Sequence, residues 1–416
     1  DMNSDEEPRE EEAEPESTLP VQDLVSQPLT RAKFLRFAGA ASGLSLAAGV
    51  FGARTSLGGE LAAHQGKGAA PTVTNTSRPG KGIDNGPSAR KLRHKQIGFL
   101  NYTSADQNNE LWTLAIEEAN RRAGLDWRFK LVDGENTTSV QAAAITAFID
   151  DKVDAIILGT IAPPAVATQL AEAKAKGIPV FGLWCYPPIF KGLTLNYQAT
   201  PMTGTAALCG YMFNQLDLRY PKGYQIAVVD CTFAVLKQRR LGLNALKSIH
   251  PLARVVASAF AESSDINGST ETIVRGFLSR FPDLKAIWTS YPTSGPAAAT
   301  AVLTARRPHI RVYSNDAEKP GLIDVGQPGN PIIAMPWDDW DWQGYYLVNY
   351  MLEYFAGHNP GPLVQYETPT PFVMLTKANA KTTAKGKGVA GGFGWSFLDG
   401  AWKEPLVKGW KSQYRL

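Results

Sequence analysis

The feature of this sequence that most restricts its fold is a regular alternation of short apolar runs with segments of helical period. Short apolar runs that end in polar residues indicate buried strands, and apolar residues three and four apart indicate helices. The predicted strands cover 96–100, 129–132, 153–159, 178–183, 225–229, 254–258, 286–289 and 311–314. Strands that alternate with helices predict parallel βαβ units with right-handed crossovers.

The predicted helices separate these strands and divide with them into two successive halves. They cover 111–123, 140–149, 164–176, 203–216, 238–249, 270–281 and 295–305. The sequence therefore predicts an α/β protein of two Rossmann-like lobes, each a parallel sheet flanked by helices, as a length of 416 residues allows. Because ligands of open α/β sheets bind beyond the carboxyl ends of the strands, we expect the site in the cleft between the lobes.

The N-terminal segments do not have the composition of a folded domain. Residues 1–29 begin with an acidic run, which predicts a disordered N-terminus. In 30–54 a basic stretch precedes a Gly- and Ala-rich apolar run, which is the layout of an export signal. It resembles a twin-arginine signal with Ala32 in place of the second arginine, and general export or an amphipathic helix are the alternatives. Residues 55–94 are predicted to form a flexible linker.

Charge and cysteine content argue against several classes of site. The net charge is only +3, and the one dense basic run, 90–95, lies at the end of the linker, so no nucleic-acid partner is predicted. Cys185, Cys209 and Cys231 lack the spacing of a metal site or a disulfide framework. We expect them to be buried, with a Cys185–Cys209 bridge as the alternative. The histidines are isolated, so no metal and no cofactor is predicted.

Four motifs, in order along the chain, resemble the type I periplasmic binding proteins, the ribose- and galactose-binding family. They are Val153-Asp154-Ala155-Ile156-Ile157, Lys176-Gly177-Ile178-Pro179-Val180, Arg239-Arg240-Leu241-Gly242-Leu243 and Arg311-Val312-Tyr313-Ser314-Asn315-Asp316. The first two are similar to the family's third strand and the approach to its fourth. The third is similar to its Arg-x-x-Gly-Phe helix, with Leu for Phe, and the fourth to its strand that ends in an Asp.

This resemblance implies that a three-stranded hinge joins the lobes, with crossings near Asn196, Ala334 and Pro362. The implied division is a first lobe, a second lobe and a C-terminal tail, which cover 95–195 with 335–361, 196–334 with 362–380, and 381–416. A helix over 342–355 then belongs to the first lobe, and a late strand over 372–375 returns toward the second. The resemblance also implies an exported monomer that binds a small polar ligand, a sugar in this family, and delivers it to the membrane permease of an ABC-type importer.

Sugars combine hydroxyl groups with apolar ring faces, so a binder needs aromatic side chains and planar hydrogen-bonding groups. The predicted ligand-binding residues are Asn101, Tyr102, Asn109, Trp112, Trp184, Arg239, Tyr291, Asp316, Trp337 and Asp338. Trp112 is equally compatible with the core, Arg239 with a solvated helix surface and Asp316 with a helix cap. Trp337 and Asp338 are expected on a crossing loop, where Trp337 also fits a partner surface.

Two of these positions depart from the family pattern. Sugar binders commonly carry Asp-Arg after the fourth strand, and this chain has Trp184-Cys185. After the strand over 286–289 the family's Asn-Asp is replaced by Tyr291-Pro292. Both changes replace ionic hydrogen bonding with aromatic surface, which favours a more apolar, aromatic or larger ligand than a plain pentose or hexose.

Other functions remain as alternatives. A sensor module that presents its ligand to a receptor kinase would have the same fold. A secreted glycoside-acting enzyme would need two facing carboxylates, and the only dense acidic cluster, Asp338, Asp339 and Asp341, lies on one short stretch, so no catalytic residue is predicted. A repressor would need a helix-turn-helix before the core, where this chain has its export-like segment. The aromatic tail is expected either to pack on a lobe or to contact a partner.

Overall fold

The computed structural model describes residues 89–103, 107–197, 201–318, 321, 324–359, 370–380 and 400–416. The predicted disordered N-terminus, the export-like segment and the crossing near Pro362 lie outside these residues. Residues 89–94, assigned to the linker from the sequence, include the helical turn Ala89–Leu92, and Leu92 is buried in the first lobe. Among the described residues, no helix has both the length and the apolar character that crossing a membrane requires.

The first sheet has five parallel strands whose inner members are buried on both faces, as apolar runs in an α/β sheet require. The strands are β1 Gln96–Asn101, β2 Arg128–Asp133, β3 Ala155–Gly159, β4 Val180–Leu183 and β5 Leu195–Tyr197. Helices α1 Gln107–Ala123, α2 Thr138–Asp150 and α3 Ala167–Ala175 follow the first three of them. The order β2-β1-β3-β4-β5 aligns the carboxyl ends of all five strands at one edge.

The second sheet has six strands and ends in one antiparallel edge strand. The strands are β6 Tyr224–Cys231, β7 Ala253–Ala261, β8 Leu284–Thr289, β9 Arg311–Ser314, β10 Ile332–Asp338 and β11 Phe372–Thr376. The helices of this lobe are α4 Pro201–Arg219, α5 Lys237–Lys247, α6 Ile266–Arg280 and α7 Ser294–Thr304. The order is β11-β10-β9-β8-β6-β7, and β11 pairs with β10. The predicted fold class is confirmed, and so is the return of the late strand.

The chain passes between the lobes after β5 and again after β10. The second crossing comes later than the Ala334 expected from the sequence, because β10 stays paired with β11 through Asp338. At the junction the Tyr197 hydroxyl is hydrogen bonded to the Thr370 hydroxyl over 3.0 Å. Close by, the backbone N–H of Asp339 donates to the carbonyl of Pro371 over 3.0 Å. Three chain segments therefore lie side by side between the lobes.

Two helices from later in the chain complete the first lobe. Helix α8, Trp340–Phe355, packs on α1, and helix α9, Lys403–Tyr414, packs on α1 and, through Trp410, on α8. Trp402 and Trp410 are buried in the same cluster as the first sheet. Residues 400–416 are therefore part of the first lobe rather than a separate tail, because their indole rings bury large apolar surfaces there.

The three cysteines are buried and unpaired. Cys185 lies in the first-lobe core and Cys209 in the second-lobe core, so the alternative of a bridge between them is wrong. Loss of solvent raises the pKa of the Cys185 thiol to about 12 and that of Cys231 to about 11. All three therefore serve as small apolar residues, as expected.

Candidate ligand-binding cleft

A cavity of about 30 Å³ lies where the carboxyl ends of the two sheets face each other. In the first lobe its wall comes from the residues after β1, β3 and β4, which are Tyr102, Thr160 and Trp184. In the second lobe it comes from the residues after β6, β8 and β9, which are Phe233, Tyr291 and Asp316. Asn108, Trp112, Val235, Leu236, Arg239 and Trp340 complete it. The cavity has room for roughly two water molecules.

Three cavity residues other than glycine have a left-handed backbone. The φ angles are 61° at Thr160, 56° at Trp184 and 57° at Asp316. Each follows a strand directly or by one residue, and such angles are unusual, above all for β-branched threonine. Conformations of this kind cost about 1–3 kcal/mol each and persist where the surroundings enforce them, often at ligand sites.

Three tryptophans of the first lobe form one group on the cavity wall, which we name the indole cluster. The ring centroids lie 6.1 Å apart for Trp112 and Trp184, 5.5 Å for Trp112 and Trp340, and 5.6 Å for Trp184 and Trp340. The three rings come from α1, the loop after β4 and α8. The cluster therefore connects α8, which follows the second crossing, to the first sheet. These three indoles are half of the six aromatic side chains that line the cavity.

Gln343 holds two of these rings in place. Its side-chain oxygen accepts a hydrogen bond from Trp112 Nε1 over 3.0 Å and another from Trp184 Nε1 over 2.8 Å. Gln343 is completely buried and does not line the cavity. The sequence analysis missed it, although its position three residues after Trp340 places it on the same helix face.

Aromatic residues on the opposite side bring the two lobes into contact. The ring of Tyr102, from the first lobe, meets Phe233 edge-on at a centroid distance of 5.3 Å. Phe233 in turn lies 5.0 Å from Tyr291 in the second lobe. Beside them Asn136 donates a side-chain hydrogen bond to Ser263 over 3.2 Å, again between lobes. The cleft is therefore in a closed arrangement.

A buried charged group completes the second-lobe wall. Arg239 donates one hydrogen bond to the Ser290 carbonyl over 2.7 Å and forms an ion pair with Asp316. Asp338 contacts Asp316 from the hinge side. Burial raises the pKa of the Asp338 carboxyl well above its usual range, the charge of Asp316 adds to this rise, and Arg239 opposes it. Burial and the neighbouring Asp316 carboxylate therefore both favour the protonated form of Asp338, which can donate to Asp316.

Six of the ten predicted residues meet at the cavity: Tyr102, Trp112, Trp184, Arg239, Tyr291 and Asp316. Arg239 is 2% exposed and Asp316 only 4%, so the alternative of a solvated arginine is wrong. The guanidinium carbon of Arg239 also lies 5.5 Å from the centre of the Trp184 ring, which links the lobes by a cation–π contact.

Asn101 and Asn109 lie behind the wall, at the end of β1 and the start of α1. Asn101 donates to the Thr113 hydroxyl over 3.3 Å, and Asn109 donates to the Thr103 carbonyl over 2.7 Å. Both side chains are buried and make hydrogen bonds within the first lobe. Their contacts tie the loop that carries Tyr102 to helix α1.

Trp337 and Asp338 lie at the end of strand β10, so their expected place on a loop is wrong. The strand continues because its residues pair with β11. Trp337 is fully buried in the core of the second lobe and does not line the cavity. Asp338 reaches the cavity only through Asp316.

The acidic cluster of the sequence does not form a joint site. Asp339 accepts a hydrogen bond from the backbone N–H of Trp342 over 2.9 Å and so caps helix α8. Asp341 forms a 2.7 Å ion pair with Lys403 of α9, and Asp338 contacts Asp316. Within the described ranges, no group of three or more His, Cys, Asp or Glu side chains could hold a metal ion.

Several cavity residues carried no signal in the sequence. Thr160, Phe233, Val235 and Leu236 follow strands or open a helix, and residues of these types are ordinary in such places. They become recognisable only when the two sheets face each other. The apolar part of the site was therefore underestimated from the sequence.

Comparisons with known proteins agree with this architecture. A family described as "Periplasmic binding protein domain" matches residues 97–358. A 5-methylthioribose transporter solute-binding protein from Thermotoga lettingae is 16% identical, with a TM-score of 0.64, and the match covers 78% of this chain and 100% of that one. A solute-binding protein from Agrobacterium vitis with bound allitol is 17% identical, with a TM-score of 0.62 and 70% and 98% coverage.

An ABC sugar transporter subunit from Rhodobacter sphaeroides is 21% identical, with a TM-score of 0.60, and the match covers 69% of this chain and 100% of that one. At such identities the structural likenesses show the fold. The family match extends over more than half of the sequence and includes both lobes and the cleft between them. This chain belongs to the periplasmic binding protein family.

Proposed function

We propose that this chain is the extracytoplasmic solute-binding protein of an ABC-type importer. It binds a sugar or a sugar-like polar ligand between its lobes and delivers it, as a monomer, to a membrane permease. The similar structures support this role, because they are described as a sugar transporter subunit, an allitol-bound protein and a 5-methylthioribose-bound protein.

The observation that carries the proposal is the cavity between the lobes. Aromatic rings line it on both sides, and the Arg239–Asp316 pair lies in its second-lobe wall. Aromatic rings cover the apolar faces of a sugar, and a guanidinium beside a carboxylate binds neighbouring hydroxyl groups. These are the two kinds of group that a sugar requires.

Closure of the lobes is the proposed mechanism. Residues of both lobes enclose the cavity, so the ligand enters when the lobes separate. Tyr102 and Phe233, Arg239 and Trp184, and Asn136 and Ser263 form the contacts that separation breaks. A ligand that contacts both walls adds free energy only to the closed state, and it therefore shifts the population toward that state.

The carboxyl group of Asp316 at the cavity and that of Asp338 behind it support binding rather than hydrolysis. Glycosidases place their two carboxyls about 5–9.5 Å apart, so that the substrate or a water molecule fits between them. Asp316 and Asp338 instead share a hydrogen bond, and Asp316 also binds Arg239. Neither arrangement leaves a free acid and base on opposite sides of a ligand.

The test is a thermal-shift panel of sugars, polyols and nucleosides on the purified protein, because a ligand of the folded state raises the melting temperature by mass action. The best ligand is then used for small-angle scattering, where we expect a smaller radius of gyration when it is bound. Stimulation of the cognate transporter's ATP hydrolysis in liposomes, by protein and ligand together, tests the importer role. Superimposable scattering curves, or a ligand that is chemically altered, would contradict the proposal.

A pair of adjacent arginines provides the matched control. Arg239→Met removes the cavity guanidinium and should abolish the ligand-induced shift, measured from the variant's own ligand-free melting temperature. Arg240 forms an ion pair with the buried Asp230 but does not line the cavity. Arg240→Met should therefore keep the shift. Equal shifts in both variants would place the ligand elsewhere.

A further inference from the structure

The cavity offers few hydrogen-bonding groups in comparison with its apolar surface. Eight of its twelve residues are aromatic or aliphatic, two of them tyrosines that carry a hydroxyl, and the other four are Asn108, Thr160, Arg239 and Asp316. Arg239 and Asp316 already bind each other. A plain sugar carries hydroxyl groups around its whole ring, and each one that is buried needs a partner. The cavity therefore offers more apolar surface and fewer hydrogen-bonding groups than such a sugar requires.

The indole cluster presents mainly apolar surface to a ligand. Tryptophan can donate only through Nε1, and the Nε1 groups of Trp112 and Trp184 both donate to Gln343. Neither ring is therefore free to donate to a sugar hydroxyl. In the described part of the structure Trp340 Nε1 has no hydrogen-bond partner, so only one of the three indoles has an unpaired N–H donor.

Aromatic surfaces also face each other across the cleft. The first lobe contributes Tyr102 and the indole cluster, and the second lobe contributes Phe233 and Tyr291. Opening of the cleft separates Tyr102 from Phe233 and exposes both rings to water. A ligand that restores this burial on closure must offer apolar surface to both lobes.

We infer that the ligand is a sugar that carries an aromatic or other apolar substituent. This inference rests on the proposed sugar-binding function and adds the class of sugar. The sugar hydroxyls lie against Arg239 and Asp316, and the substituent lies between the indole cluster and the rings of Phe233 and Tyr291. Aryl glycosides and nucleosides share this chemistry, because both attach a flat ring to a sugar.

Isothermal titration calorimetry with matched ligands tests the inference. The probes are the phenyl and methyl β-glycosides of glucose, galactose and xylose, together with adenosine, uridine and free ribose. We expect at least one phenyl glycoside, or one nucleoside, to bind at least tenfold more tightly than its partner without the ring. The pair that shows this difference in affinity identifies the ligand class as an aryl glycoside or a nucleoside.

Two outcomes overturn the inference in different ways. If free sugars, methyl glycosides or polyols such as allitol bind as tightly as the ring-bearing probes, the substituent is rejected and sugar binding stands. If no sugar of either kind binds, the proposed function is rejected with it.

A pair of phenylalanines supplies the matched variants. Phe233→Ala should lower the affinity ratio of the ring-bearing ligand to its partner at least fivefold. Phe260 is 61% exposed on β7 and does not line the cavity, so Phe260→Ala should leave this ratio unchanged. Circular dichroism confirms that both variants are folded. An unchanged ratio in Phe233→Ala would overturn the placement of the substituent.

Discussion

Trp184 donates its indole N–H to the buried side-chain oxygen of Gln343 over 2.8 Å. Trp184 follows the fourth strand of the first sheet, whereas Gln343 lies in α8, just after the second crossing between the lobes. The same oxygen accepts from Trp112, so one side chain fixes two rings of the cavity wall. The orientation of these rings therefore depends on a residue that does not line the cavity.

Replacement of Gln343 by leucine should loosen the indole cluster. Gln343→Leu leaves two buried indole N–H groups without their acceptor, which costs about 1–3 kcal/mol for each. We expect a lower free energy of unfolding and roughly tenfold weaker ligand binding, measured by urea denaturation and calorimetry. Gln327→Leu, at an exposed position of the second lobe, is the control. Unchanged affinity in Gln343→Leu would show that the rings hold their positions without it.

The raised pKa of Asp338 at the hinge predicts a dependence of stability on pH. The folded protein keeps the Asp338 proton to a higher pH than the unfolded chain, because burial and Asp316 raise this pKa. Above the unfolded pKa of about 3.9, the folded state thus binds more protons. The free energy of unfolding then falls as pH rises toward the folded pKa, by up to ~1.4 kcal/mol per pH unit.

Asp338→Asn removes this titration while its amide can still donate to Asp316. The variant should match the original protein near pH 4 and exceed its free energy of unfolding by an amount that grows as the pH rises from 4 toward the folded pKa of Asp338. Urea denaturation across this range measures the difference, with Asp126→Asn, at an exposed carboxylate of the first lobe, as control. A difference that stays constant with pH would contradict a raised pKa at Asp338.

The buried lysine of α9 should contribute strongly to stability. Lys403 binds Asp341 over 2.7 Å and Glu118 over 2.9 Å, and Asp341 is only 1% exposed. Lys403→Met leaves a buried carboxylate without its cation, which costs about 3–5 kcal/mol. Lys408→Met removes an exposed lysine of the same helix, 3.8 Å from Glu404, and should change the free energy of unfolding by less than about 1 kcal/mol. Equal effects of both variants in denaturant titrations would show that the buried network is not stabilising.

Two helical glycines should respond to alanine with opposite signs. A Cβ on Gly344 would lie 2.5 Å from the Cβ of Ala115, so Gly344→Ala forces α8 away from α1 and should lose about 1–3 kcal/mol. A Cβ on Gly276 meets nothing within 4 Å, so Gly276→Ala should gain about 0.5–1 kcal/mol from helix propensity. Thermal and urea denaturation measure both changes. A neutral Gly344→Ala would mean that the two helices can separate at little cost.

Local periodicity was sufficient to predict most of the two sheets. The run at 153–159 corresponds to the strand at Ala155–Gly159, because fully buried strands are almost uniformly apolar. Strand β10 was not predicted, because its residues near Pro336 and Trp337 were interpreted as a loop that crosses between the lobes. Its pairing with β11 is a long-range contact that no local pattern reveals.

The charged pair and four of the aromatic residues of the site were predictable, and the remaining apolar residues were not. Arg239 and Asp316 stand in motifs whose order resembles a known family, and the structure brings them together in one ion pair. Phe233 and Gln343 belong to no such motif. Their role arises from the approach of one lobe to the other and of α8 to α1, which depends on tertiary packing.

Helix α9 covers the first lobe and is made last during synthesis, so the first lobe is completed after the second. When residues up to 380 have been synthesised, the second lobe has every described strand of its sheet. The first lobe, although its sheet was made earlier, still lacks the helix that covers Trp342 and Tyr345. A nascent chain of this length therefore leaves the aromatic rings of Trp342 and Tyr345 without the cover of Trp402 until the last residues have been made.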